Sequence, residues 1–285
     1  MPDTPTLIAY GSLMSGHGLA SLAPLPAIDA RRVRLVGCRR GFGKLSQYGD
    51  RFAMVLEPAV AGEPIFCEPI GDATPIAGGV DALAVTVRVP ELARVAAREG
   101  YRADTLLALA RQAEAAGETL GAHLWRLFAA ADFDVASYRR ALADAVDYTS
   151  PHYIPHPVAT EGGEPAIVFL PPGDEGSGRA DVVPVRVQSA ETRLLMFRDV
   201  WRLKPNPSQL DYAAMCILGE AHNLSLADVL DGVKEYPPLA RRLAARIAVD
   251  LASERASFRA ALGLGADLYA ARFPASPRRA TFLAG

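Results

Sequence analysis

Apolar and polar positions along the chain fall into two regimes. Up to Val89 the apolar residues come in short runs: Leu7 to Tyr10, VRLVGC from Val33, FAMVLE from Phe52, IFCEPI from Ile65 and DALAVTVRV ending at Val89. Gly and Pro separate nearly all of them, which predicts short strands. After Pro90 the spacing changes to that of a helix face. ELARVAAREG, DTLLALARQAEAAG, ETLGAHLWRLFAA and VASYRRALADAV predict four helices, each closed by Gly or a turn-rich segment. The stretch from Asp147 to Pro165, DYTSPHYIPHPVATEGGEP, is dense in Pro, Gly and polar residues and predicts a loop. AIVFLP and VVPVRV then predict two strands around the turn PPGDEGSGR, and these rejoin the first sheet. From Ser189 onward, ETRLLMFRDVWRL, LDYAAMCILGEAHN and LARRLAARIAVDLASERASFRAAL predict helices. The resulting organisation is α+β: a strand core over residues 1–188, interrupted by a helical insertion at about 104–148, and a helical C-terminal extension over 189–285.

Length and charge narrow the function classes. The 285 residues suit one large domain or two modest ones, and at 50% hydrophobic they can bury a full core. With 30 basic against 32 acidic residues the net charge is −2, and no long run has one sign, so duplex nucleic acid and a polybasic membrane surface are excluded as partners. No apolar run approaches the ~18 residues of a bilayer span, and the opening MPDTPTLIAYGS carries Asp3 where a secretory signal has Lys or Arg. The expectation is a soluble cytoplasmic protein. Cys38, Cys67 and Cys216 are odd in number and widely spaced, so they form neither a disulfide framework nor a CxxC site and are expected to be small buried residues.

Two segments carry chemistry. The first is the turn that ends the opening strand, Tyr10, Gly11, Ser12 and Leu13. Glycine at a strand exit lets the backbone turn tightly and aims consecutive N–H groups at a carboxylate, phosphate or developing oxyanion. Gly11 and Gly16 match the outer glycines of a P-loop, but His17 and Gly18 stand where Lys and Ser or Thr are needed, and the spacing is wrong for GxGxxG. The second segment is the helix PELARVAAREGY, with Pro90 in its first turn and Gly100 at its stop. Leu92, Val95, Ala96 and Glu99 lie at i, i+3, i+4 and i+7, which puts a carboxylate on the apolar stripe, while Glu91, Arg94 and Arg98 fall on the opposite, solvated side. A carboxylate facing a core has its pKa raised toward the range where it both takes and gives a proton near neutrality. The structural alternative is that Glu99 bends out to water or pairs with Arg102.

YGSL directly after the first strand, then the strand GGVDALAVTV, then a helix ending in Glu-Gly-Tyr, resembles the γ-glutamylcyclotransferase-like family. The resemblance spans roughly the first hundred residues and rests on short motifs in a fixed order. It implies a small mixed β-sheet or barrel core. It also implies a small-molecule γ-glutamyl substrate, held by backbone N–H groups at Tyr10, Gly11, Ser12 and Leu13, and Glu99 as the proton shuttle, with no cofactor and no metal. The products are 5-oxoproline and a free amine. The chain departs from the family in carrying helical patterns from Asp104 to Val146 where the family runs back into a strand. The other class of reading is a non-catalytic binding module on the same fold.

Other constellations point less clearly. His152, His156 and Glu161, with His222, are the only cluster of metal-ligand type, but Pro151, Pro155 and Pro157 forbid the helix that would place two imidazoles on one face. His17 is a candidate substrate contact, and His123 falls within an amphipathic helix as a half-buried residue. Arg39, Arg40, Arg51 and Lys44 cluster around the second and third strands; one of them is a candidate partner for a substrate carboxylate, and most are expected on a solvated strand edge. Ser12 lacks the GxSxG form of a nucleophile elbow.

Overall fold

The computed structural model describes residues 4–14, 30–45, 52–70, 79–148, 150, 152–171, 198–199 and 204–205. The first apolar run forms β1 (Thr6–Ala9). Leu7 and Ala9 are buried on one face and Ile8 on the other, which is why the run is continuous rather than alternating. β2 (Ala30–Val36), β3 (Cys38–Leu45), β4 (Phe52–Pro58), β5 (Phe66–Pro69) and β6 (Val80–Thr86) follow. After the helices come β7 (Ile154–Thr160) and β8 (Ala166–Leu170). Six strands close a barrel in the order β1-β6-β2-β5-β7-β8, while β3 and β4 pair only with each other, as an arm that leaves the barrel after β2 and returns into β5. The barrel pairs are antiparallel except β1 with β8 and β5 with β7.

Four helices separate β6 from β7: α1 (Val89–Arg98), α2 (Ala103–Ala115), α3 (Leu120–Ala130) and α4 (Val135–Val146). Side-chain oxygens start the last two, with Thr119 accepting from the Ala122 amide at 3.2 Å and Asp134 from the Ser137 amide at 2.7 Å. Leu7, Leu83, Val85, Ile167 and Phe169 from the strands join Leu92 and Val95 of α1, Leu106 and Leu109 of α2, and Leu124, Phe128 and Tyr138 in one apolar core. A helical insertion thus sits directly on the barrel, and the protein is a mixed α+β fold. No helix among the described residues is long and apolar enough to cross a membrane.

Two sequence expectations are corrected. The supposed loop from Asp147 to Pro165 contains a barrel strand, β7, paired with β8 from Ile154 to Val158. Its prolines are tolerated because a residue in an antiparallel pair turns its N–H and C=O to the same neighbour, so Pro155 and Pro157, two apart, present the same edge. At that edge the Pro155 carbonyl accepts from the Tyr138 hydroxyl at 2.8 Å, and β5 reaches only Ala159 and Thr160. The missing N–H groups are therefore not needed by a neighbouring strand. In the expected helix ETRLLMFRDVWRL, Arg198–Asp199 instead pairs antiparallel with Lys204–Pro205. Pro205 disfavours the helical region for Lys204, the residue that stands opposite Asp199. VVPVRV and the other helices expected after Ser189 lie outside the described residues, as do His17, Arg51, Cys216 and His222.

On β7 the His156 ring is wholly buried, with ring centroids 4.5 Å from Phe128 and 5.7 Å from Tyr138. Burial lowers its pKa from 6.5 to about 4. Between those values the unfolded chain binds the extra proton, so this group leaves stability intact above about pH 6.5 and removes it as the pH falls toward about 4. The loss at the acid end is on the order of 3 kcal/mol. Denaturant unfolding of wild type and His156→Phe at pH 7.5 and 4.5 measures this. The variant is expected to lose less stability between the two pH values, and an equal loss would contradict the assignment.

Candidate functional site

The site is assembled at the C-terminal end of α1, and the two ends of this helix treat their carboxylates differently. At the start, the Arg88 amide donates to Glu91 Oε2 at 2.8 Å, the Arg88 guanidinium pairs with the same carboxylate, and Arg94 lies at 3.5 Å. Glu91 is only 1% exposed, so it is not on the solvated side as periodicity predicted. It folds back over the helix start, covered by arginine side chains rather than sunk in the core. Those hydrogen bonds, the one from the Arg88 side chain foremost, hold its pKa below the ordinary carboxylate range.

Glu99 caps the other end, its amide donating to Val95 O at 2.9 Å. Its carboxyl is crowded by protein on most sides, yet 21% of the side chain stays open to solvent. Desolvation is the largest influence and pushes its pKa up, opposed by the charges of Arg98 and Lys44. Arg98 Nε is 3.9 Å from Glu99 Oε1. The pairing with Arg102 is not made, because Arg102 turns to Asp104, with Nε 3.0 Å from Oδ1.

Beyond Glu99 the chain turns at Gly100, whose φ of +81° is costly for any residue with a Cβ. The segment before β7 clamps this turn. Ser150 Oγ donates to Gly100 O at 3.1 Å and accepts from the His152 amide at 3.2 Å. His152 packs so closely that a Cβ at Gly100 would lie 2.8 Å from its Cδ2. His152 Nδ1 is in turn 3.3 Å from Lys44 Nζ, and Lys44 stands over the Tyr153 ring at 5.2 Å. Lys44 reaches this position from β3, where the register shifts between Phe42 and Lys44, a bulge that re-aims the side chain. It is 4% exposed and Arg40 is also buried, so neither lies on the solvated edge expected of them, whereas Arg39 is exposed.

The turn after β1 also meets the β3–β4 arm. Gly11–Met14 is a single 3-10 turn, with Gly11 at φ +62°. Gly11 lies against Met54 of β4, whose register partner is Phe42, close in sequence to Lys44. The Tyr10 hydroxyl donates to Phe169 O at 2.8 Å, which ties the turn to β8. Leu13 is buried in the same core as Leu92 and Val95 of α1. Ser12 belongs to the turn through its backbone. The β3–β4 arm therefore lies against the turn at Gly11, and the charge of its Lys44 acts on the Glu99 carboxyl.

The other candidates are not drawn into this arrangement. His156 lies among aromatic rings, Glu161 is exposed, and no group of three His, Cys, Asp or Glu among the described residues is placed to hold a metal. His123 is buried rather than half-buried, with Nδ1 3.1 Å from Glu118 Oε2. Desolvation pushes the Cys38 thiol up to about 12 and the Cys67 thiol up to about 11, so both stay protonated at neutral pH. Sequence reasoning named Lys44 only within a basic cluster and His152 only within a metal-type cluster or a loop over the cavity mouth, and it did not single out Ser150; none of them was placed beside the turn that follows Glu99. Their only signal, a lysine between Gly43 and Leu45 and a histidine among prolines, needs the strand register to be read. Comparison with protein-family models, with curated proteins and with solved structures found no match.

Proposed function

We propose that this protein is a γ-glutamylcyclotransferase-like enzyme. It cyclises a γ-glutamyl amide to 5-oxoproline and releases the amine. The observation that carries the reading is Glu99: a carboxyl on the apolar stripe of α1, crowded by protein, raised in pKa and still open to solvent over a fifth of its side chain. Further support comes from the glycyl turn Tyr10–Leu13, packed on the same core and touched by the same strand arm.

The substrate carries its own nucleophile. Its α-amine nitrogen attacks the γ-carbonyl carbon, a ring C–N bond forms, and the original amide C–N bond breaks. Glu99 takes the proton that the amine loses and returns it to the departing nitrogen, a double duty that suits a carboxyl of raised pKa. Backbone N–H groups of Gly11, Ser12 and Leu13 face the oxygen on which negative charge develops. Bringing amine and carbonyl into a near-attack ring supplies the rest, because the reaction is intramolecular.

The test incubates the full chain with a panel of γ-glutamyl dipeptides and γ-glutamyl amines and follows 5-oxoproline by mass spectrometry. Time-dependent, enzyme-dependent release of 5-oxoproline and the matching amine is the expected result. Silence across the panel would leave the fold as a binding module.

A further inference from the structure

A carboxyl that takes a proton and returns it must meet its substrate at one distance, so whatever fixes the end of α1 against the barrel bears on the chemistry. Two sets of bonds hold that end. The first lies within the helix. The Gly100 amide donates to Ala97 O at 3.2 Å and the Tyr101 amide to Ala96 O at 2.8 Å, a Schellman closure that the positive φ of Gly100 permits. Ala96 and Tyr101 both belong to the apolar core, so the closure is packed as well as bonded. It gives the turn its shape.

The second set crosses to the barrel through one hydroxyl. Ser150 is 1% exposed, donates from Oγ to Gly100 O at 3.1 Å and accepts from the His152 amide at 3.2 Å, two residues before β7 begins at Ile154. A hydroxyl has one donor and two lone pairs, so it makes both bonds at once. The same segment closes on the turn by packing: His152 lies against Gly100, and the Tyr148 ring stands edge-on to Tyr101 at 5.4 Å. The packing holds the segment close, and the hydroxyl adds direction.

We propose that Ser150 is a positioning residue of this site: by joining the carbonyl next to Glu99 to the amide that leads into β7, it holds the general base in a fixed place against the barrel. The proposal rests on the cyclotransferase reading for the duty of Glu99. Without the hydroxyl, the Gly100 carbonyl and the His152 amide lose the partner they share and take water instead. The turn then loosens where it meets β7, water reaches the Glu99 carboxyl, and the desolvation that is the largest influence on it weakens. The charges that favour its ionised form, Arg98 on α1 with Nε 3.9 Å from Oε1 and Lys44 on β3, work in the same direction as that water.

The experiment follows Glu99 itself, by carbon-detected NMR titration of the full chain labelled at the glutamate carboxyls, with Glu99→Gln identifying the signal. Ser150→Ala is expected to move the Glu99 midpoint down toward the ordinary glutamate range, and Ser150→Thr, which keeps the hydroxyl, to titrate with wild type. A purely stabilising role for Ser150 would leave that midpoint where it is in the folded variant. On the γ-glutamyl panel Ser150→Ala is expected to lower kcat roughly 10-fold while KM changes less than about 3-fold, because alignment rather than binding is lost. Circular dichroism verifies that each variant is folded. Should Ser150→Ala fail to fold, Ser150→Cys, whose thiol bonds only weakly, carries the same test. An unmoved or raised midpoint in a folded variant without the hydroxyl, a loss confined to KM, an unchanged kcat, or a folded Ser150→Thr that behaves like the alanine variant each overturns the proposal. A lowered midpoint restored by threonine, with no turnover by wild type, would support Ser150 as the positioning residue of this carboxyl and remove the cyclotransferase reading instead.

Discussion

Glu99→Gln is expected to lower kcat for 5-oxoproline release by roughly 10²-fold or more while leaving ligand binding largely intact. Glutamine keeps the shape and one acceptor oxygen but cannot accept a proton and return it, so the loss falls on the chemical step. The pH dependence has a definite sign. Catalysis needs the ionised carboxylate, and desolvation raises its pKa, so activity should fall on the acid side at a pH above the ordinary glutamate range. Stability moves the other way. A carboxyl whose pKa is higher in the folded state stabilises most below the unfolded value, and that contribution is lost as the pH rises through the folded one. Glu99→Gln should therefore be more stable than wild type at pH 7.5, with the gain shrinking toward pH 4. Rate measurements and thermal unfolding on the same preparations decide the matter. An active variant would sink the mechanism, and a destabilised one would contradict the burial on which it rests. Glu91→Gln, in the same helix but held by arginines, is the control in which stability falls and chemistry does not.

Gly121→Ala should destabilise the protein, by about 3 kcal/mol on the scale of overpacked cores. In an ordinary helix this substitution is favourable, since alanine has the higher helix propensity. Here the first turn of α3 meets the β7–β8 connection, and a Cβ at position 121 would overlap the backbone carbonyl oxygen of Pro165. Backbone cannot rotate away as a side chain can, so either the helix or the strand connection must shift. The contact between Thr119 and Glu164 lies in the same place and would shift with it. Gly162→Ala is the matched control, with open space around it and no positive φ. Urea unfolding of both variants measures the difference. A Gly121→Ala midpoint at or above that of wild type would show that the seam has room to yield.

Glu99 was legible in the sequence because a helix has one period, and a carboxylate at i+7 from Leu92 on an apolar stripe can be placed by counting. Glu91 was not, because its burial comes from Arg88 and Arg94 folding over it, and no period encodes that. The strand core was legible where apolar runs lie between Gly and Pro. It failed at β7, whose prolines spoil the pattern while facing an edge that asks for no N–H. It failed again at β3, where CRRGFGKL mixes buried arginine and lysine with glycine and breaks register before Lys44. The place of Glu99 at the end of the stripe could thus be found from the chain alone, whereas the lysine whose charge acts on it depends on a bulge in a hairpin distant in sequence.

The anchor between Tyr10 and Phe169 joins residues 159 positions apart, and this has a kinetic consequence. During synthesis β1, β2, β5 and β6 emerge early and can pair as antiparallel neighbours. The free edges of β1 and β5, however, wait for β8 and β7, which come only after four helices. Contacts of such long sequence separation form late, since the loop between them must close first. Until then the nascent chain carries two unpaired edges, the usual targets of mispairing. The glycyl turn is pinned by β8, the last barrel strand among the described residues, so its docked geometry should appear only when the barrel shuts and not gradually as the chain lengthens.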